Sequence, residues 1–483
     1  MNNSFKNYDV IVIGAGAVGL SVANELVQES LKIALVSPQN PEGVASLAAG
    51  AMIDAFGEIS DLDSEYERQR LQLEVKAQKI YPEWLAGISE RAGREIFHRK
   101  GLFMVTNRDG QFDKKRIGLI KEQLTAYGEK FNAIDPSEVP GLKPNYQYPI
   151  HEALFIEDAM SVDTTDLLPA LELAISNSGY CQRIHDTATA VESQGDAWQV
   201  HTQNSDALQA QRVVVCAGAH SIKVIGEPLR LKAQLPRLFF GRGTSFTVVD
   251  APDVPYTIRT PNRVLACGLH LVPRAGKRLY IGGTNWFGTN FSVPKGPSLL
   301  EVHSLLDATI HQLNSSLAGA SIQSVNWGLR PVTAYDRPIV GQTELPGLFV
   351  VTGTHRTGVH LSPILAKLIS AELLGKQLPY ENPFLPNTKP EKTSDIDYDL
   401  AMRGLMAVAI YPTGGLPYNR LDEMQTFIRE IFKLAINDNK GDEELRQKLH
   451  YWLEEIPPTE QSLLRIYNEV RERYLSGAGP HMS

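Results

Sequence analysis

Gly14, Gly16 and Gly19 stand in the spacing Gly-x-Gly-x-x-Gly, which can cradle a pyrophosphate. The chemistry needs backbone rather than side chains. Gly14 permits a tight turn, Gly16 lets the main chain approach the phosphates, and Gly19 allows a helix to pack closely on a strand. Ala17 and Val18 then open a helix whose N-terminal amides and positive dipole end face an anion. The ribose of a dinucleotide is usually held by an acidic residue at the end of the second strand. Here that place is taken by Ser37, whose hydroxyl offers a weaker bond than a carboxylate. The motif alone does not choose between NAD and FAD. Cys181, Cys216 and Cys267 are odd in number and far apart, which supports neither a disulfide framework nor a metal-ligand spacing and fits a reducing compartment.

The glycines must be positioned by a strand, a helix and a second strand. Tyr8 to Ile13 is a short β-branched run, Leu20 to Glu29 reads as a helix, and Lys32 to Val36 is again apolar. Parallel strands need such a crossover. Two further buried-strand runs lie far downstream, Arg212 to Gly218 and Gly347 to Gly353, the latter leading into a helical pattern from Ser362 to Leu374. Strand signals this widely separated imply one discontinuous sheet. Between them, 97–160 mixes short strands with a polar helix and 236–325 is strand-rich, so a second, mostly antiparallel unit built from two insertions is expected. Prolines 379, 383, 386 and 390 mark a linker. Beyond it, Leu421, Met424, Ile428, Ile431 and Ala435 keep helical spacing, and Thr459 is placed to cap a last helix through Tyr474.

Composition excludes several classes. The chain has 483 residues with 43% apolar and 21% charged, an ordinary globular balance. Its net charge of −8 and lack of a Lys/Arg cluster argue against nucleic acid as a partner. No apolar run reaches a membrane span, and the N-terminus shows no signal-peptide core, so a cytoplasmic location is expected.

Further motifs occur in a fixed order: Ala45-Ser-Leu-Ala-Ala-Gly-Ala-Met52, Ala190-Val-Glu-Ser193, Val213 to Ser221, Leu271-Val-Pro-Arg274, Ile281-Gly-Gly-Thr284, Trp327-Gly-Leu-Arg-Pro331, Pro338-Ile-Val-Gly341 and Gly353 to His360. Over roughly the first 375 residues this set resembles the FAD-dependent D-amino acid oxidase family, most closely its glycine oxidase branch. The resemblance implies an α/β fold: a glutathione-reductase-type FAD-binding Rossmann domain, an inserted, mainly antiparallel β-sheet substrate domain, and here a C-terminal helical appendage. The expected boundaries are 1–90, 150–235 and 326–376 for the FAD-binding domain, 91–149 and 236–325 for the substrate domain, 377–394 for the linker and 395–483 for the appendage.

Carried over by position, the resemblance implies that Gly14, Gly16, Ala17, Val18 and Gly19 hold the FAD pyrophosphate. Ser37, Ser46, Ala49, Gly50, Met52, Ala217 and Gly218 would complete the cofactor site, and Val191 would meet the adenine through its backbone. Arg356, Thr357, Gly358, Val359 and His360 would approach the isoalloxazine. Arg330 matches the arginine that clamps the substrate carboxylate, a role suited to a planar, bidentate guanidinium. His270 stands where glycine oxidases tend to carry a tyrosine near the substrate. No cysteine occurs in Val332 to Arg337 and Leu47 replaces a possible histidine, so noncovalent FAD is implied. The implied reaction takes a small amino acid or amine, moves a hydride to flavin N5, releases an imine that hydrolyses to a 2-oxo acid, and reduces O2 to H2O2. Two alternatives are a dehydrogenase of the same fold that passes electrons to a quinone or protein, and a biosynthetic amine oxidase whose C-terminal helices dock a partner or a second copy.

Overall fold

The computed structural model describes residues 8–387, apart from 60, 61, 63, 64, 107–110, 237, 262–267, 289–295 and 334–336. The expected helices around 421–436 and 459–474, and the linker from 388 onward, lie outside the described residues.

Strands Leu348–Thr352, Leu208–Val215, Tyr8–Ile13, Ile33–Val36 and Cys181–Ile184 lie side by side in that order, all parallel. Successive residues of these runs feed two cores. Val10, Val12, Ile33 and Leu35 pack under helices Ala17–Gln28, Thr164–Asn177 and Gly358–Leu373. Ile11, Ile13, Ala34 and Val36 face the opposite side, against Trp198, Val200 and Ile225. Burial on both faces is why the strands read as unbroken apolar runs rather than alternating ones. Strand Ile339–Gln342 closes one edge antiparallel, and hairpin Ala188–Gln194/Ala197–Thr202 extends from Leu208–Val215. Both helices start earlier than the sequence periodicity suggests, at Ala17 and Gly358. Gly16 caps the first, so the last residues of the glycine turn already form its opening turn.

The second sheet has ten strands. Among its pairings only Thr257–Arg259 with His98–Thr106 is parallel, and this pair joins the two insertions. Helix Leu299–Gln312 covers one part of the sheet through Leu305 and Ala308, and helix Gln111–Ala126 another through Ile120 and Leu124. Three segments expected with the nucleotide sheet pair here instead, the first of them Met52–Ile53, which runs against Glu152–Val162. Glu152–Val162 runs against His98–Thr106, and Ser321–Thr333 runs along Leu238–Val249 for almost its whole length. The physical reason is that these long antiparallel ladders continue past the points where the motifs suggested a change of domain. Among the described residues, no helix is long and apolar enough to cross a membrane.

Candidate active site

After Ile13 the chain turns through Gly14 at φ +108°, a conformation L side chains rarely adopt. A Cβ there would also run into the Cys216 carbonyl on the adjoining strand, and one at Gly19 would collide with the Gly14 carbonyl. The helix can therefore approach the strand this closely only with glycine at both places. Gly16, the N-cap, has no side chain to satisfy the first helical amides; Ser46 Oγ accepts from the Ala17 N–H at 2.9 Å instead. These residues wall one end of a cleft of about 590 Å³, a size typical of cofactor sites. Val18, Ser37 and Ala49 line it further along, as do Ala217, Gly218, Gly358 and Val359. A helix N-terminus bare of side chains, facing a cleft through a glycine turn, fits the diphosphate of FAD.

Several lining residues carried no sequence signal because they lie outside the motifs: Pro41 to Gly43, Thr187, Thr189, Gln203 and Lys223. Glu42 adds to this wall a carboxylate that the second strand lacks at Ser37. Val191 is placed differently from the expectation. It pairs with Val200 and is buried in the core, while Thr187 to Thr189 of the same chain segment form the cleft wall.

At its inner end the cleft shares Ala49, Arg330, Arg356 and Val359 with a small cavity of about 60 Å³. The backbone between cleft and cavity is pinned from the second sheet. Tyr280 Oη and Ser245 Oγ donate to the Ala48 carbonyl at 2.8 and 3.2 Å, and Arg274 Nη2 donates to the Ala49 and Gly50 carbonyls at 2.9 and 3.1 Å. Arg274 also donates to the Val162 carbonyl and lies over the Tyr280 ring. The Leu271-Val-Pro-Arg274 motif thus ends in a positioning arginine, a role the sequence did not disclose.

Arg330 donates through Nη1 to the Thr284 carbonyl at 3.0 Å and to Asn285 Oδ1 at 3.1 Å, both neutral acceptors. Gly243 lies opposite, and a Cβ there would overlap the guanidinium. A second set of charges forms a ladder. Arg356 Nε lies 3.4 Å from Glu58 Oε2, Glu58 Oε1 3.1 Å from Arg259 Nη2, and Arg259 Nη1 3.2 Å from Asp54 Oδ2. Arg259 is only 1% exposed and also donates to the Gly57 carbonyl. Burial pushes the Asp54 carboxyl up, while the Arg259 guanidinium and the Gly57 and Phe56 amides pull it back. Two guanidinium groups thus meet two carboxylates, and Arg330 has no carboxylate partner among the described residues.

His270, Gly50, Met52 and Thr357 border the cavity rather than the cleft. His360 does too, but its imidazole turns into the core, where Nε2 lies 2.9 Å from the Glu74 carbonyl. Burial holds this ring neutral, with its pKa lowered to about 4. His355, at φ +46°, donates its backbone N–H to the Pro331 carbonyl and lines the cleft.

The sequence model of the FAD dependent oxidoreductase (DAO) family matches residues 9–372. Glycine oxidase of Geobacillus kaustophilus is 25% identical over 380 residues, which cover 75% of this chain and 92% of that protein. The bifunctional protein ThiO/ThiG of Trichormus variabilis is 27% identical over 372 residues, 75% of this chain; the match spans only 52% of that longer relative. Among solved structures, glycine oxidase from Geobacillus kaustophilus superposes with a TM-score of 0.69 at 23% identity, covering 80% of this chain and 99% of that one.

Proposed function

The chain belongs to the FAD-dependent oxidoreductase family, with FAD as its cofactor, and on that premise we propose that it oxidises the C–N bond of a small amino acid or amine. The observation that carries the reading is Arg330, a guanidinium facing a small cavity at the inner end of the cleft and, among the described residues, bonded only to neutral acceptors. A cation held in place without a carboxylate partner suits a substrate carboxylate, which the planar fork binds through two parallel bonds. The named relatives point to the same substrate class.

Bound noncovalently, FAD would supply the two-electron acceptor. The protein's part is binding and orientation. Gly14, Gly16 and the Ala17 helix N-terminus would hold the pyrophosphate, beside Ser46 Oγ on the first amide. Arg330 fixes the carboxylate, so that the carbon beside it faces the cofactor end of the cleft. The Arg356–Glu58–Arg259–Asp54 ladder keeps its own charges paired and leaves Arg330 as the anion's partner. With FAD bound, the amine would give up two electrons and become an imine, which water would hydrolyse to a 2-oxo acid with release of ammonia or a primary amine, and dioxygen would take the two electrons and two protons as hydrogen peroxide.

The test is the visible spectrum of the purified holoenzyme, mixed anaerobically with glycine, N-methylglycine and D-amino acid pools and then opened to air. Bleaching by one pool with prompt recovery in air is the expected result. Bleaching with slow recovery would replace dioxygen by another acceptor, and a flavin unmoved by every pool would overturn the substrate class.

A further inference from the structure

The ring orientation of His270 extends this reading of the cavity and rests on it. His270 begins the strand His270–Arg274, is 4% exposed and borders the cavity beside Arg330. Its ring is stacked on Tyr280, with centroids 5.6 Å apart and planes 13° from parallel, and Tyr280 is itself anchored through its hydroxyl. The imidazole therefore has little freedom to turn.

Nδ1 lies 2.8 Å from the Gly268 carbonyl oxygen. A carbonyl only accepts, so Nδ1 carries the hydrogen. In the neutral ring Nε2 then has a lone pair and no hydrogen. Burial, reinforced by the guanidinium groups of Arg259 and Arg330, keeps the ring neutral and lowers its pKa to about 3. Nε2 faces main chain without side chains: a Cβ at Gly50 would sit 2.9 Å from it, and one at Gly282 closer still. No donor among the described residues bonds it. Nε2 and Arg330 Nη2 each stand 3.7 Å from the point a Gly283 Cβ would occupy, so they bracket one small volume.

We propose that His270 Nε2 accepts a hydrogen bond from the substrate's amine N–H while Arg330 donates to its carboxylate. The two groups divide the substrate by hydrogen-bond polarity. The guanidinium can only donate and this tautomer of the imidazole can only accept at Nε2, so His270 is no second carboxylate ligand. The selected class is a primary or secondary amine with an N–H beside the carbon that bears the carboxylate. A neutral tertiary amine offers no hydrogen, and the oxygen of a 2-oxo acid product would meet a lone pair. Selectivity against analogues lacking the hydrogen follows from leaving a buried acceptor unmade.

The experiment uses FAD-loaded wild-type, His270→Phe and His270→Gln proteins. Acetate affinity, read from the flavin absorbance shift, reports Arg330 alone. Anaerobic bleaching by N-methylglycine and N,N-dimethylglycine reports the amine contact. The wild type should favour N-methylglycine at least about 100-fold in kcat/KM. His270→Phe should lose most of that preference and about 10–100-fold in kcat/KM for N-methylglycine, with acetate affinity within about twofold and FAD content unchanged. His270→Gln, which can present a carbonyl oxygen, should recover part of the preference. A His270→Phe protein that keeps the N–H preference, or that loses acetate and amine recognition in equal measure, overturns the assignment and leaves amino acid oxidation standing. A wild type that no amine bleaches overturns both.

Discussion

The nucleotide cleft and the small cavity share Arg330 and Arg356, yet they are built in opposite ways. Much of the cleft wall is main chain and small residues, Gly14, Gly16, Ala17, Ala49, Ala217 and Gly218, with larger polar side chains such as Glu42 and Lys223 on other parts of it. The cavity is made largely of charged and aromatic side chains brought by the second sheet and the segment after Met52–Ile53: Asp54, Glu58, Arg259, His270, Tyr280 and Arg330. A cofactor common to many enzymes can be held by backbone amides that any sequence with the right turn presents. A substrate has to be distinguished from its analogues, and that takes side chains whose charge and hydrogen-bond polarity differ from place to place.

The comparison can be broken most forcefully at Gly14. Gly14→Ala combines left-handed strain with overlap on the Cys216 carbonyl, a cost of roughly 3–5 kcal/mol. The variant should be isolated with little FAD and a lowered Tm, read from the ratio of flavin to protein absorbance and from a melt. A yellow protein of wild-type Tm would mean that the turn does not set the cleft.

Next comes Arg330. Arg330→Met should keep wild-type FAD content but lose acetate affinity by roughly 2–5 kcal/mol, about 30-fold or more. Loss of FAD together with acetate would show that cleft and cavity are one unit rather than two.

The smallest effect concerns acid sensitivity. His270 and His360 have folded pKa values of about 3 and 4, below the ordinary 6.5. Between those values and 6.5 the unfolded chain binds protons that the fold does not, so stability falls as pH is lowered through that window. Each histidine contributes up to about 1.4 kcal/mol per pH unit. Glu74, raised to about 7 by burial, works in the other direction, stabilising below 4.5 and losing its contribution as pH rises through 7. Urea titrations at pH 6 and pH 4.5 should therefore show His270→Phe losing less stability on acidification than the wild type. An identical acid response in both proteins would contradict the neutral, buried ring.

Much of the cleft was legible in the residues themselves. The glycine spacing, the strand before it and the helix after it belong to one contiguous stretch, and each glycine answers a local backbone demand. The separated strands Leu208–Val215 and Leu348–Thr352 were legible for a related reason, since burial on both faces leaves an unbroken apolar run. The motif around Arg330 pointed to a carboxylate ligand, and the strand Ser321–Thr333 delivers that side chain to the cavity.

What the sequence determined, then, is the parallel sheet, the glycine turn that opens the first helix and the family's ordered motifs, because these follow from residue type and near-neighbour spacing. Tertiary structure alone decided that Arg259 meets Asp54 across 205 positions of chain. It also decided that Glu58 bridges two arginines, that His360 turns away into the core, and that Val191 leaves the cleft wall to Thr187–Thr189. The hydrogen on His270 belongs to the same group, fixed by a carbonyl two residues earlier whose direction depends on the strand pairing around it. Charge pairing and tautomer are set by neighbours in space under low solvent exposure, and no spacing along the chain records which neighbours those will be.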